Sequence, residues 1–209
     1  MKKKLAYILG ILLVIGPLGF SATSLIIKRS QLTYNIPNTP EAKEIMKTIE
    51  KAYDIEVEAA YTFDIKKFPT VFINDPRFPV SPGTLEIIKD LTDNPSLESA
   101  GWLDYKVAFY SWRIKATLHA ERVKEKAKQE NRALSEEERD SLIDSNGRSA
   151  PARAQGPTRT TSLTFMSIDV NEDVAIVILD DGTYKAELTL VFVDGSWYIA
   201  RFKGISLNI

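Results

Sequence analysis

Hydrophobic positions along this chain change period twice, and each change marks a boundary. From Leu5 to Ile27 there is an uncharged, largely apolar run of 23 residues with no amphipathic period. From Thr39 onward the apolar residues recur at helical spacing. Ala42, Ile45, Met46, Ile49, Ala52, Tyr53, Val57 and Ala60 form one stripe, which predicts a helix to about Tyr61. Thr39 can cap it, Pro40 suits its first position, and Glu41 and Glu44 favour the positive end of its dipole. Phe68 to Ile73 is short, β-branched and aromatic, and reads as a strand or an extended packing segment. Asn74-Asp75-Pro76 and Ser81-Pro82-Gly83 are turn chemistry, with a short helix over Thr84 to Leu91 after them.

A break at Asn94-Pro95 leads into a long helix from about Ser99. Leu103, Val107, Tyr110, Ile114 and Leu118 lie on one face, widened by Phe109 and Trp112. Beyond Glu121 the pattern turns almost wholly charged. It predicts the same helix projecting into solvent, with Ser135 to Glu138 able to cap a further turn. Residues 145–161 are rich in Gly, Ser, Pro, Ala and Arg and read as a flexible loop. The period then falls to two. Residues 162–170, 173–179, 183–193 and 196–207 are β-rich and are separated by Asn171-Glu172, Asp180-Asp181-Gly182 and Asp194-Gly195. The last is a strong hairpin signal. Helices first and a meander last predict an α+β domain. Its curved, cone-like antiparallel sheet would wrap the long helix, with Tyr184, Ala186, Leu188, Leu190 and Phe192 on one face of a strand. The divisions are 1–29, a tether at 30–38, and one domain over 39–209.

Charge gives the first segment its meaning. Lys2, Lys3 and Lys4 precede the apolar run, and Lys28 and Arg29 close it. A basic start before an apolar stretch begins both secretory signals and signal anchors. A helix needs about 20 apolar residues to span a bilayer, so residues 5–27 are expected to act as a single-pass membrane anchor. Gly16-Pro17 splits the run, however, and Ala22-Thr23-Ser24 offers a cleavage site near Ser24, after which the domain would be secreted. In both cases the basic N-terminus stays in the cytoplasm and the domain lies outside it.

Composition narrows the chemistry. The net charge is −1, which gives no electrostatic reason to expect a nucleic-acid partner. There is no cysteine, which excludes disulfides, thiolate zinc sites, iron–sulfur clusters and a Cys nucleophile. The lone histidine, His119, sits beside Glu121 and Arg122 near the end of the apolar face and reads as a boundary residue. Asp180-Asp181 is half of a calcium-site pattern, but hairpin turns use Asp for its backbone hydrogen bonds. No metal and no cofactor are expected. Arg148, Arg153 and Arg159 in the loop are too dispersed for a lipid-headgroup site.

The order of elements, and a closing Asp194-Gly195-Ser196-Trp197-Tyr198-Ile199, resemble the nuclear transport factor 2-like (cystatin-like cone) superfamily. Its final strands commonly carry D-G-x-W-x-I, matched here by Asp194, Gly195, Trp197 and Ile199. The resemblance covers about residues 39–209 and implies a pocket between sheet and helices. It implies no single activity, since the superfamily holds isomerases, dehydratases and cyclases beside non-catalytic binding and assembly domains. Tyr53, Tyr61, Tyr105, Tyr110, Trp112 and Trp197 are the pocket candidates, with Asp54, Asp64 or Asp104 as possible carboxylates. As a set they read more simply as core aromatics and solvated acids, and no catalytic residue is assigned. The leading expectation is a membrane-tethered, non-enzymatic domain that binds a partner protein or forms a homo-oligomer. The rival is a small-molecule site in the cone, serving either a carrier or a Tyr/Asp isomerase or lyase.

Overall fold

A computed structural model of the chain describes residues 35–205. The expected anchor and its flanks, Lys2, Lys3, Lys4, Lys28 and Arg29, lie outside the described residues. Among those described, no helix is long and apolar enough to cross a membrane.

The domain is α+β. Helices α1 (Pro40–Thr62), α2 (Pro82–Thr92), α3 (Trp102–Gln129) and α4 (Glu136–Asp140) precede strands β1 (Thr164–Asn171), β2 (Val174–Asp180), β3 (Lys185–Val193) and β4 (Ser196–Ile205). The strands form an antiparallel meander in the order β1-β2-β3-β4. Helix α1 starts as its sequence predicts. Thr39 is extended and its hydroxyl accepts from the Ala42 N–H, which satisfies a donor that has no partner inside the helix. The helix ends at Phe63, in the left-handed conformation with φ 64°.

Helix α3 begins three residues past the predicted start, at a cap built across the fold. Gly101 has no side chain to cap with, so the amide oxygen of Asn74 takes the Asp104 N–H at 3.2 Å. The Asp104 carboxylate closes back on the Gly101 N–H at 3.0 Å. A Cβ at position 101 would lie 2.3 Å from that same Asn74 oxygen, so only glycine lets the two segments meet this closely.

Three expectations are corrected. Phe68–Thr70 is a 3-10 turn rather than a strand, because Pro69 lacks the N–H that a ladder needs. Past Val71, which closes that turn, Phe72 meets the sheet. There the Ile199 N–H donates to Val71 O and the Ile73 N–H to Ile199 O, in a short parallel bridge at the free edge of β4. The charged part of α3 does not project as a lone helix. After Gln129 the chain reverses at Asn131, with φ 50°, and Ala120 and Ala127 on the charged stretch are buried. Finally, residues 142–161 form a strap tied at several points. Thr117 Oγ1 donates to Pro151 O, Ala154 N–H to Ala60 O, and Arg153 makes a two-pronged pair with Glu121. Two of these ties use the strap's backbone and one the Arg153 side chain.

One sheet face, α1 and the first half of α3 enclose the core. Ile45, Ile49, Phe68, Phe72, Val177, Leu179, Leu188, Leu190 and Ile199 are essentially inaccessible. Ala186, Leu188 and Leu190 of the predicted face point into this core, whereas Tyr184 and Phe192 at its two ends are exposed.

Candidate functional site

A cavity of about 240 Å³ remains between α1, α3 and the sheet. Tyr53 and Glu56 reach it from α1, and Trp102, Tyr105, Lys106 and Phe109 from α3. Phe72 lies in the edge bridge, and Tyr184, Leu188, Ile199 and Phe202 close the sheet side. Positions 102, 105, 106 and 109 share one helical face. Tyr53 and Glu56, three apart, share a face of α1.

The sheet wall depends on a bulge. Leu190 pairs with Ile199, Thr189 with Arg201 and Leu188 with Phe202, so Ala200 is an extra residue in β4. Residues three apart on a regular strand face opposite sides. The inserted residue brings Ile199 and Phe202 to the same side, and both line the cavity.

Much of the wall is a run of roughly parallel rings. Phe202 and Trp102 are 5° from parallel with centroids 5.6 Å apart. Trp102 continues to Tyr105 at 4.9 Å and 27°, and Tyr105 to Phe109 at 5.9 Å and 25°. Tyr184 stands edge-on to Phe202.

An ion pair is set into this aromatic wall. Lys106 Nζ donates to Glu56 Oε1 at 2.7 Å, with only 13% and 20% of the two side chains exposed. The ammonium also lies 5.2 Å from the ring centroids of Phe72 and of Trp102, a cation–π arrangement that offsets part of its lost hydration. Glu56 Oε2 accepts from the Tyr110 hydroxyl at 2.9 Å. Burial, followed by the charge of Glu56 and its hydrogen bond, holds the Tyr110 phenol far above its ordinary pKa. Burial first and the Glu56 charge second raise Tyr105. Burial and the charge of Asp181 do the same for Tyr53, with Glu56 contributing less. Tyr184 is raised by burial, then Asp181, then Glu56. All four phenols therefore keep their protons at neutral pH.

The sequence candidates divide. Tyr53 and Tyr105 line the cavity. Tyr110 lies behind it, buried edge-on to Phe68 with centroids 4.9 Å apart, and acts on the site through Glu56. Tyr61 is exposed and uses its backbone carbonyl to accept from Arg153. Trp112 lies under the Arg148 guanidinium, 5.2 Å from it, and Trp197 is a core residue beside Phe192. Tyr61, Trp112 and Trp197 therefore stand away from this cavity.

None of the three proposed carboxylates lines the cavity. Asp54 lies 3.7 Å from Arg159, Asp64 accepts from the Lys66 N–H, and Asp104 caps α3. Asp180 and Asp181 accept backbone N–H groups of their own hairpin turn, and His119 is exposed beside Ser141. Glu56, Lys106, Tyr184 and Phe202 were not among the sequence candidates. For the first two a signal was present, since each is a charged residue at helical spacing within an apolar face.

Compared with protein-family models, curated proteins and solved structures, the chain matches none.

Proposed function

We propose that this chain is a non-enzymatic binding protein, held at a membrane by residues 5–27 with its domain outside the cytoplasm, and that it takes a small molecule in the aromatic cavity. The observation that carries the reading is the Glu56–Lys106 pair set among stacked rings. An apolar concavity with a few oriented polar groups is the usual form of a small-molecule site. A buried ion pair is seldom worth more to stability than apolar side chains of the same volume, so its place in this wall suits recognition better than packing. The volume is below the about 300–1,000 Å³ of drug-sized sites, which suits a compact ligand.

Catalysis is the weaker reading because the acids and bases around the cavity are already committed. Glu56 is held by Lys106 and Tyr110, the phenols are held protonated, and Asp181 serves a hairpin turn. Helices that precede a closing antiparallel meander, with Trp197 and Ile199 buried in its last hairpin, support a place in the nuclear transport factor 2-like superfamily as part of the same proposal.

The test is thermodynamic linkage. A ligand that binds only the folded state raises its stability by RT ln(1 + [L]/Kd). Full-length protein purified natively in detergent is expected to melt higher than the same protein stripped by unfolding and refolding. The difference should vanish in Leu188→Trp, which fills the cavity. Equal melting of native and stripped wild type would overturn the proposal.

A second reading, docking of a partner protein or a second copy, is favoured by Ile176, 43% exposed on the sheet face turned away from the core. A stable complex that survives Leu188→Trp would favour it.

A further inference from the structure

The charges in the cavity wall restrict what it can hold. Glu56 and Lys106 are one acid and one base 2.7 Å apart, so their formal charges cancel, and neither is free to neutralise a ligand. A carboxylate or phosphate that approached the Lys106 ammonium would meet Glu56 beside it, with Asp181 on the far side of Tyr53, whose hydroxyl lies 3.5 Å from that carboxylate. A cation seeking Glu56 would meet Lys106. The ring faces of Phe72 and Trp102 that could attract it already hold the lysine's own ammonium. Either charged ligand therefore faces a like charge at close range beside two mostly buried side chains, where such repulsion is stronger than in bulk.

The same groups suit an uncharged polar ligand. An ammonium has three N–H donors and a carboxylate about four lone-pair positions. The hydrogen bonds between Lys106, Glu56 and Tyr110 leave part of each capacity unused. A donor and an acceptor thus sit side by side. Phe109, Tyr184 and Phe202 line the same cavity, where a ring-shaped guest can make the offset-stacked or edge-on contact it prefers.

Resting on the small-molecule reading above, we infer that the natural ligand is an uncharged, planar aromatic molecule. It carries an adjacent hydrogen-bond acceptor and donor, as in an amide or a lactam, with the acceptor turned to Lys106 and the donor to Glu56.

Benzamide, benzoate and benzamidinium have nearly the same shape and differ in charge. They can be titrated at pH 7 into full-length protein in detergent, with binding followed by the NMR shifts of the Leu188 and Ile199 methyl groups. Benzamide is expected to move both methyls and to bind at least tenfold more tightly than either ion. In Glu56→Gln, where Lys106 is no longer neutralised, benzoate should gain at least tenfold relative to benzamide. If Glu56→Gln does not fold, the wild-type panel decides alone. Equal or tighter binding of an ion at the same methyls would overturn the uncharged-ligand inference and leave the cavity reading standing. If none of the three probes moves Leu188 or Ile199, this inference fails, and the melting comparison of native and stripped protein decides the cavity reading separately.

Discussion

Lys106 is where packing and recognition meet. Its stem belongs to the apolar face of α3, while its head is held by Glu56, Phe72 and Trp102. Lys106→Met alone would leave the Glu56 charge little exposed and unpaired, and is expected to lower unfolding free energy by about 3 kcal/mol. Adding Glu56→Gln should restore much of that loss. A double-mutant cycle by urea unfolding checks this, and additive single effects would show that the pair is not coupled. Tyr110 gives a pH-dependent consequence. Its folded pKa is raised above the ordinary value near 10, so its contribution is complete below about pH 10. Above that, the unfolded chain loses the proton while the folded one keeps it, and stability falls as pH rises further. Tyr110→Phe should flatten this alkaline decline, and an unchanged slope would sink the assignment.

At the scale of elements, periodicity and turn chemistry made most of the fold legible. The Ala42–Ala60 stripe, the Thr39-Pro40 start and the three turns of the meander all gave the right elements. What failed was long-range. Phe68 to Thr70 turn instead of running extended, and only Phe72 reaches the edge of β4, a contact with no local signal. The start of α3 depends on Asn74, far away in sequence, and could not be read locally. Phe202 was hidden because a regular strand would not place it with Ile199, and nothing local announces the bulge at Ala200. Deleting Ala200 should turn one part of β4 over and abolish probe shifts at the Leu188 and Ile199 methyls, even if a sheet still forms. Gly195 is a cleaner case. It has φ 81°, after Asp194 at φ 50°, and no atom lies near its missing Cβ. Gly195→Ala should therefore cost about 1 kcal/mol from backbone strain alone, measured by chemical denaturation. A cost several times larger would mean that the turn does more than reverse the chain.

Across the whole molecule, the charged residues that read as solvated are largely structural. The strap ties α1, α2 and α3 through arginines. Arg148 reaches Asp90 and Asp144, and Arg153 reaches Glu121 while lying 3.9 Å from the Phe63 ring centroid. Beyond the helix reversal, the Arg132 and Ser135 hydrogen bonds hold Glu138 down to about 2. Its folded pKa lies below the ordinary value, so the contribution is present above about pH 4.5 and is lost as pH falls toward 2. Glu138→Gln should make acid unfolding shallower across that window, and an unchanged acid slope would contradict the tie. The candidate site is only half legible because a charge among apolar residues at helical spacing does not say locally whether it faces solvent or another helix. Glu56 and Lys106 become interior only when α1 and α3 face each other.

Native mass spectrometry of the full-length chain, gently extracted from its own membranes, would show whether an anchored protein carries a small molecule. The expected mass includes residues 1–30 and a bound small molecule, and the bound molecule is lost in Leu188→Trp. A chain free of any small molecule, but in stoichiometric complex with another protein, would contradict the account.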